Sequence, residues 1–509
     1  MGNNSSVLLR IDHNVTYIDG KLDKQIYKKL KRHLGYLTED YYWRIKKKKN
    51  KEEWQKEKEW DGYISTVCWN QATCRCFNKK PGTHFHSGLI SKAIHFFKDN
   101  NVNFSIKDER TKHNHEKDYL LSDELEERDY QKETIEKSLK VDRGIIKVCT
   151  GGGKTLIAAS IIANRGVCPA IFYVPSIDLL KQAKDEIERF VRYNGIPIEV
   201  GAIGGGKKDI KDITVMTIQT AVRALGGKYI NFDDEDKNKD NTDIDDIKPE
   251  INDLIRSSKL MIADECQYWA SETCQIISDS SNSCQYRYAL SATPYRDKGD
   301  DILIEGCFGK TIVDINASLL IRKGYLVRPT IYFYPIANMK GMKRTSYANV
   351  YKYAISENEF RNNLIKNLAN GMKNNGRNIL ILCKHINHGN LLEQIIPDSV
   401  FIHGSHSAKK RKEHLDKMRK GEPNITVSSV IFDEGIDCRP LNTLILAGSG
   451  KSSTRALQRI GRTLRPYPGK SDAIIIDFMD NCNYMKNHSK KREKIYKTEN
   501  EFVIKEIKL

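Results

Sequence analysis

The stretch Cys149-Thr150-Gly151-Gly152-Gly153-Lys154-Thr155 decides the fold, because it joins the apolar run 145–148 to the helical run 156–163. A series of glycines lets the backbone curl so that its N–H groups face a phosphate, and the helix N-terminus adds a favourable dipole. We expect Lys154 to reach the β- and γ-phosphates of a nucleotide and the Thr155 hydroxyl to ligate Mg²⁺. Val148 replaces the first glycine of the strict phosphate-loop pattern, so a strand-to-helix turn without a ligand is the alternative.

Short apolar runs alternate with helical stretches on both sides of this loop. Runs at 145–148, 170–174, 213–216, 260–263 and 288–290 belong to a first series, and runs at 379–382, 400–402, 425–427, 443–446 and 473–476 belong to a second. This alternation is typical of parallel sheets covered by helices on both faces. The sequence therefore predicts an α/β protein with two such domains in tandem.

The domain boundaries follow from changes of pattern along the chain. Residues 1–122 mix a strand-like alternation with a helical stretch and end in a charged connection, which predicts a small α+β N-terminal domain. Its basic, tryptophan-containing stretch leads us to expect that this domain binds DNA. We place the first α/β domain, which binds ATP, at 123–316 and the second at 317–480. We expect the remaining residues, 481–509, to form a basic C-terminal tail.

A pair of carboxylates, Asp264-Glu265, stands directly after the apolar strand 260–263 and behind the phosphate loop in the chain. At the carboxyl end of a strand beside a phosphate loop, a carboxylate is placed to bind Mg²⁺, and we assign Asp264 to that metal site. Glu265 is placed to orient and deprotonate an attacking water. The alternative for an Asp-Glu pair is an ordinary solvated surface position.

The order of the motifs resembles that of the superfamily 2 helicases. Arg128-Asp129-Tyr130-Gln131 is similar to an adenine-reading motif, Ser291-Ala292-Thr293-Pro294 to motif III and Gln458-Arg459-Ile460-Gly461-Arg462-Thr463-Leu464-Arg465 to motif VI. The resemblance covers about 126–480 and implies two RecA-like domains that hydrolyse ATP with Mg²⁺. It implies nucleotide binding by Arg128, Tyr130, Gln131, Thr150, Gly151, Gly152, Gly153, Lys154, Thr155, Gly435 and Asp437. It implies catalysis by Lys154, Asp264, Glu265, Gln458, Arg462 and Arg465.

The same resemblance supplies expectations for the nucleic acid and for its coupling to hydrolysis. Contact with the tracked strand is implied for Pro175, Ser176, Thr217, Gln219, Lys384, His385, His403 and Gly404, and coupling for Gln267, Ser291 and Thr293. Gln267 departs from the His or Asp common at the end of motif II. Glutamine both donates and accepts hydrogen bonds, so we expect altered coupling and not its loss.

The physical role of the motif VI arginines follows from their spacing. Arg462 and Arg465 are three residues apart and project from one face of a helix. Guanidinium groups supplied across a cleft neutralise the charge that develops in phosphoryl transfer. A nucleotide held in this way bridges two domains, so that hydrolysis can open and close them. The alternative for a basic helix face is simple solvation.

Basic charge in the flanking regions suggests a polyanionic partner. The chain has 509 residues and carries 84 Lys and Arg against 66 Asp and Glu, a net charge of +18. Lys47, Lys48 and Trp60 lie in a stretch that combines phosphate attraction with stacking surfaces, and we expect them to contact DNA. Interleaved glutamates leave an ordinary exposed helix or hairpin as the alternative.

Twelve scattered cysteines predict reduced thiols in a cytosolic compartment, here of a bacterial or phage-infected cell. Cys68, Cys74 and Cys76 followed by His84 and His86 are zinc-ligand types. However, the spacing lacks paired C-x2-C units and favours buried or surface thiols. No apolar run is long enough to span a membrane, and the first residues lack a secretory signal.

The arrangement of the whole chain is similar to the phage UvsW-type recombination helicases, through a W-D-G stretch, a Gly-Leu-Ile run at 88–90 and the R-x-Y-Q motif. This resemblance implies an ATP-dependent translocase that unwinds or branch-migrates forked and Holliday-type DNA, and we expect it to be monomeric on DNA. The alternatives left open are the motor subunit of a restriction system, an RNA helicase and a scaffold that has lost turnover.

Overall fold

Two compact units make up the part of the chain that the computed structural model describes, and each is presented by itself. The described residues are 6–37, 63–68, 71, 74, 76, 80–227, 248–294, 299–337, 346–429, 438–448, 450 and 453–508. Within them, the first unit comprises 6–148, 153–227 and 248–314, and the second comprises 149–152 and 315–508. The N-terminal segment therefore belongs to the first unit, whereas the boundaries at 122, 316 and 480 stay predictions.

The first unit contains a large sheet of eight strands, which are β8 (Arg143–Val148), β9 (Ala170–Val174), β12 (Gly201–Gly204), β13 (Lys207–Asp209), β14 (Ile213–Thr217), β15 (Leu260–Asp264), β16 (Tyr286–Ser291) and β17 (Thr311–Ile315). Their order across the sheet is β13-β12-β14-β9-β15-β16-β8-β17. The six strands from β12 to β8 in this order are parallel, and β13 is antiparallel to β12. Every residue of β9, β14, β15 and β16 is buried, as parallel strands covered on both faces require.

Helices connect these strands in the predicted βα alternation. The helices that accompany the large sheet are Asp129–Leu139, Lys154–Arg165, Ile177–Phe190, Ile218–Ala224, Lys248–Ser257, Glu272–Ser280 and Ile302–Phe308, and a 3-10 turn lies at Cys266–Ala270. Trp269 in that turn is fully buried, and its ring packs edge-on against Tyr173 and Phe308 at centroid distances of 5.5 and 5.0 Å. Aromatic contacts of this geometry fix the turn that follows β15 onto the core.

The N-terminal segment is a small mixed α+β structure, as predicted. Its elements are β1 (Val7–Ile11), β2 (Val15–Asp19), helix Lys24–His33, β3 (Gly35–Leu37), β4 (Tyr63–Ser65), β5 (His84–His86), a 3-10 turn at Ser87–Leu89, helix Ile90–Asp99, β6 (Phe104–Asp108) and β7 (Tyr119–Leu121). The four-stranded sheet has the order β5-β2-β1-β6, with β1 and β6 parallel and the other pairs antiparallel. β7 instead joins β10 (Val191–Tyr193) and β11 (Ile196–Pro197) in a separate small sheet.

The second unit contains a sheet of seven strands, which are β18 (Pro329–Ile336), β19 (Ile379–Leu382), β20 (Ser399–Ile402), β21 (Ile425–Ser428), β22 (Thr443–Leu446), β23 (Ala473–Asp480) and β24 (Val503–Glu506). All of them are parallel, in the order β20-β21-β19-β22-β23-β18-β24. Its helices are Ala317–Arg322, Tyr347–Tyr351, Glu359–Asn374, Ile386–Ile395, Ala408–Arg419, Ser453–Thr463 and Met485–Tyr496, with a π turn at Lys352–Ser356. Both units thus have the predicted α/β parallel-sheet fold.

The residues expected to form a basic tail are part of this second sheet. β24 pairs in parallel with β18 at the sheet edge, and helix Met485–Tyr496 is anchored to β23. The anchor is Arg492, whose Nε and Nη2 donate to the Asp477 carboxylate at 2.9 and 2.8 Å in a fully buried pair. Among the described residues, no helix is both long and apolar enough to cross a membrane.

Candidate active site

The carboxyl ends of three neighbouring strands meet at one edge of the large sheet in the first unit. β16 lies between β15 and β8, and the register pairs Asp264 with Leu290 and Ser291 with Lys147. The phosphate loop follows β8, the Asp-Glu pair ends β15, and Ser291 ends β16. The crevice beyond such strand ends is where parallel α/β sheets bind their ligands.

The phosphate loop has the curled backbone that its glycines predict. Gly151 and Gly153 have φ angles of 85° and 77°, in the left-handed region that favours glycine. A Cβ atom on Gly153 would stand 2.4 Å from Nε2 of Gln131, so a side chain there would force the end of the Gln131 side chain to move, in addition to the backbone strain. Lys154 and Thr155 are the first two residues of the following helix, and Thr150 lies half-buried before the turn.

Gln131 has a defined position beside this loop. Its Oε1 accepts the backbone N–H of Arg128 at 2.9 Å, which caps the start of helix Asp129–Leu139. The Arg128 side chain donates to the Tyr130 hydroxyl at 3.3 Å, and the Tyr130 ring is buried. The three residues predicted to read adenine therefore come together, with the Gln131 amide nitrogen directed at Gly153.

Lys154 forms a partly buried ion pair with both predicted catalytic carboxylates. Its Nζ lies 2.5 Å from Oε1 of Glu265 and 3.5 Å from Oδ1 of Asp264. Burial lowers the pKa of Lys154, but the charges of Asp264 and Glu265 outweigh it and hold that pKa above its ordinary value. Burial raises the pKa of the Asp264 carboxyl, and the neighbouring Lys154 opposes this shift. A cation is thus held within reach of the place where the loop would cradle phosphates.

Glu265 stands in an unusual backbone conformation for a residue with a side chain. Its φ is 47° and its ψ is 58°, in the left-handed region, where non-glycine residues cost of order 1–3 kcal/mol. Its own N–H donates to Oδ1 of Asp264 at 2.9 Å. This strained turn at the end of β15 aims both carboxylates at the same edge of the sheet.

A directed series of hydrogen bonds runs from motif III to the phosphate loop. The N–H of Thr293 donates to Oγ of Ser291 at 3.0 Å, and the Ser291 hydroxyl donates to Oε1 of Gln267 at 2.7 Å. Nε2 of Gln267 donates to Oε2 of Glu265 at 3.0 Å, and the other oxygen of Glu265 accepts from Lys154. We name these five residues the relay. In a half-buried setting each hydrogen bond of such a series polarises the next.

The predicted nucleic-acid residues of the first unit stand at the same sheet edge. Pro175 and Ser176 follow β9, Thr217 ends β14, and Gln219 lies in the helix after it. Ser176 and Thr217 are helix N-caps whose hydroxyl oxygens accept the N–H groups of Leu179 and Thr220, at 3.4 and 3.3 Å. Thr217 is buried, whereas Pro175, Ser176 and Gln219 are partly exposed.

In the second unit, Lys384 and His385 follow β19, and their side chains contact the rings of nearby tyrosines. Lys384 Nζ lies 5.8 and 5.4 Å from the ring centres of Tyr347 and Tyr351, and the His385 ring meets Tyr351 edge-on at 4.8 Å. Burial and the charge of Lys384 lower the pKa of His385. The sequence motifs gave no signal for Tyr347 or Tyr351, because they belong to no recognised pattern and lie over 30 residues from Lys384.

The remaining predicted residues of the second unit are placed individually. His403 and Gly404 follow β20, with the His403 ring 4.0 Å from the ring centre of His406. Gln458 and Arg462 lie on helix Ser453–Thr463, and Arg465 follows its end; all three are partly exposed. Lys47, Lys48, Trp60, Gly435 and Asp437 lie outside the described residues.

Comparisons with known protein families agree with this order of motifs. Residues 124–296 match a family model described as "Type III restriction enzyme, res subunit", and residues 360–467 match "Helicase conserved C-terminal domain". The first match contains the phosphate loop and the relay, and the second contains Lys384, His403 and the motif VI helix. The two matches follow one another in the chain as its two parallel sheets do.

Relatives in sequence include proteins described as DNA translocases and DNA helicases. The chain is 28% identical over 404 residues to the DNA 3'-5' translocase XPB2 of Sulfurisphaera tokodaii, covering 71% of this chain and 83% of that protein. It is 24% identical over 371 residues to the ATP-dependent DNA helicase uvsW of Enterobacteria phage T4, covering 69% and 68%.

In fold, the chain resembles a fragment described as an HsdR subunit of a type I restriction enzyme from Vibrio vulnificus YJ016. The TM-score is 0.53 at 17% identity, covering 74% of this chain and 68% of that one. At that identity the likeness concerns the fold alone. The paired family matches, the relatives and the ordered motifs together place this chain among the superfamily 2 helicases, which hydrolyse ATP.

Proposed function

We propose that this chain is an ATP-dependent DNA translocase that unwinds or branch-migrates forked and Holliday-type DNA. The observation that carries the proposal is the relay, which joins the phosphate-binding lysine to the strand end of motif III. Through such a series of hydrogen bonds, nucleotide binding at Lys154 and changes in the position of motif III can influence one another.

In this proposal each residue of the site has a defined task. Lys154 leaves its ion pair with Glu265 when the γ-phosphate arrives, because the phosphate offers a stronger charge-assisted partner. Glu265, released from the lysine and still held by Gln267, then accepts a proton from the attacking water. Arg462 and Arg465 complete the site as charge-neutralising groups, with Gln458 on the same helix. The motif V residues Gly435 and Asp437 are proposed as further nucleotide contacts.

The end of β15 and the start of the helix after the phosphate loop supply residues that fit Mg²⁺. Asp264 and Thr155 supply a carboxylate and a hydroxyl oxygen, which are the hard donors that this ion prefers. Asp264 is buried and its carboxyl has a raised pKa, so a divalent cation beside it would compensate the charge that burial disfavours. Magnesium bound there would supply neutralisation of the phosphate oxygens.

Several features favour DNA as the polymer. The two curated relatives named above are described as acting on DNA, one of them as a 3'-5' translocase. The net charge of +18 supplies sequence-independent attraction to phosphates. We propose Pro175, Ser176, Gln219, Lys384, His385, His403 and Gly404 as contacts to the tracked strand, with Thr217 positioning the helix beside them. Lys47, Lys48 and Trp60 are proposed to select branched over linear DNA, and the protein is proposed to act as a monomer.

A second candidate function is the motor of a restriction system. It is favoured by the family model that matches residues 124–296, whose description names a restriction subunit. In this second function the chain would move along duplex DNA without separating its strands. Displacement of a third strand from a long duplex, without unwinding of a fork, would therefore favour this second function.

The test compares ATP hydrolysis and unwinding on single strands, linear duplex, forks, four-way junctions and structured RNA at two salt concentrations. We expect forks and junctions to stimulate hydrolysis at least about 10-fold over RNA, with stimulation falling as salt rises. A Glu265→Gln variant serves as the inactive control. If no nucleic acid stimulates hydrolysis, the translocase proposal fails, and stronger stimulation by RNA would replace it by an RNA helicase.

A further inference from the structure

A cluster of four metal-ligand side chains is buried in the N-terminal segment, away from the relay. It consists of Cys68, Cys74, Cys76 and His84, whose ligand atoms all lie within 4.8 Å of one another. The four residues are between 0% and 8% exposed. Among the residues that the structure describes, Val15 and Tyr17 are the apolar side chains packed with the three cysteines, in a small core cluster.

The backbone fixes two of these ligands opposite each other. Cys68 and His84 form an antiparallel bridge in which each N–H donates to the other's carbonyl, at 2.8 and 3.0 Å. Residues that exchange both hydrogen bonds in this way project their side chains to the same face. Sixteen positions separate them in sequence, which is why the local spacing of the cysteines gave no zinc pattern.

The distances agree with tetrahedral zinc. Nε2 of His84 lies 3.3 Å from Sγ of Cys74 and 3.4 Å from Sγ of Cys76. With Zn–S near 2.3 Å and Zn–N near 2.0–2.1 Å, a tetrahedral site places sulfur and nitrogen about 3.6 Å apart. Small adjustments of the side chains therefore suffice to admit the ion at the centre of the four atoms.

The histidine also has the orientation that a zinc ligand requires. Its second ring nitrogen, Nδ1, lies 3.0 Å from the carbonyl oxygen of Gly82. A proton on Nδ1 would donate to that carbonyl and leave the Nε2 lone pair directed at the sulfur atoms. Metal-bound histidines almost always have such a partner, which sets the tautomer and the ring plane.

We propose that Cys68, Cys74, Cys76 and His84 bind one Zn²⁺ in a closed structural site. Four protein ligands leave no position for water, which is typical of structural and not catalytic zinc. This replaces the expectation from sequence that these cysteines are ordinary thiols. The proposal does not depend on the proposed DNA substrate or on ATP hydrolysis.

A second group of ligand types, Cys76, His86 and Asp279, shares one cysteine with the first. We exclude His86 from the zinc site because its Nε2 lies 3.1 Å from Oδ1 of Asp279 and 4.0 Å from Sγ of Cys76. His86 instead connects β5 to helix Glu272–Ser280. Zinc bound by His84, two residues earlier on the same short strand, would hold His86 in place for that contact.

The two histidines make a matched pair for the test, since both are buried and both lie on β5. Chain purified without chelators is measured for metal by mass spectrometry as wild type, His84→Gln and His86→Gln. We expect about one zinc per chain in the wild type and in His86→Gln, and less than about 0.2 in His84→Gln. Zinc retained by His84→Gln and lost by His86→Gln would overturn the choice of ligands.

Cobalt binding reports directly on the ligands and on the geometry of the site. The refolded metal-free chain is titrated with Co²⁺, which gives thiolate-to-cobalt charge-transfer absorption and the strong visible bands of a tetrahedral site. We expect these bands in wild type and in the control Cys168→Ser, and their loss in Cys74→Ser/Cys76→Ser. A wild-type chain that contains no zinc and gives no tetrahedral cobalt spectrum would overturn the proposal.

The site should also stabilise the segment that carries it. Ligand binding only to the folded state raises the unfolding temperature, and structural zinc does so strongly. We expect removal of zinc to lower the first unfolding midpoint by more than about 5 °C and to speed proteolysis within residues 63–86. Equal midpoints with and without the metal would contradict a structural role.

Discussion

Replacing Gln267 by alanine removes the middle of the relay and leaves both of its ends in place. The substitution deletes the donor to Oε2 of Glu265 at 3.0 Å and the acceptor of the Ser291 hydroxyl at 2.7 Å. A hydrogen bond to a charged group is worth about 1.5–3 kcal/mol. Gln267 is half-buried, so we use the lower half of that range, which corresponds to roughly 10- to 40-fold in a rate that depends on it.

The loss should fall on coupling more than on hydrolysis itself. Lys154 and both carboxylates stay in place, so hydrolysis without DNA should change less than about 3-fold. Hydrolysis at saturating DNA should fall about 10- to 40-fold, because Ser291 can no longer act on Glu265 through Gln267. Steady-state hydrolysis with and without a saturating fork measures both numbers in one preparation.

A matched control is Gln285→Ala. Gln285, like Gln267, is a glutamine that donates to a carboxylate, here Asp142 at 3.4 Å; it is buried and precedes β16, at the opposite end of that strand from Ser291. Its loss should leave the stimulation ratio unchanged. If Gln267→Ala keeps the wild-type ratio, or if both variants lose it equally, the relay does not couple the two motifs.

Three further predictions concern catalysis and stability. Glu265→Gln keeps the side-chain shape but removes the base, so kcat should fall about 10²- to 10⁴-fold with ATP binding retained, and hydrolysis near wild type would refute the role. Burial and the charge of Arg361 lower the pKa of His388 to about 3, so below the unfolded-state pKa of about 6.5 the unfolded chain binds a proton that the fold does not, and the fold loses stability as the pH falls from 6.5 towards 3. At pH 5.5 the loss is about 1 kcal/mol, and urea unfolding of His388→Asn should lack that part of the pH dependence. Arg361→Met leaves Asp480 buried without its partner at 3.1 Å and should cost about 3–5 kcal/mol in urea unfolding of the second unit; a loss below about 1 kcal/mol would show that the pair is not needed.

The sequence predicted the parts of the fold that depend on local pattern. Apolar runs such as 260–263 are buried strands, and the glycines of the phosphate loop have the positive φ that their position requires. The placement of Asp264 and Glu265 beside Lys154 also followed from reasoning about strand ends. Periodicity and glycine chemistry act within a few residues, so they can be read without knowing the tertiary structure.

What the sequence did not predict depends on contacts between distant segments. The pairing of Cys68 with His84 requires a bridge across 16 positions, and β24 pairs with β18 across more than 150. The segment after 480 is rich in lysine and therefore read as a tail, although Arg492 is buried on Asp477. Composition gives the average character of a segment, whereas one buried ion pair decides where it packs.

Strand β16 shows why the N-terminal segment and the catalytic edge have to be considered together. At its start, the fully buried Arg287 donates to Oδ1 of Asn14 at 2.5 Å, and Nδ2 of Asn14 donates to the carbonyl of Asp279 at 2.9 Å. At its end, Ser291 begins the contact with Gln267. An arginine buried in a sheet needs every N–H directed at an acceptor. Asn14 supplies one of these acceptors, so the N-terminal segment completes the core from which the relay extends.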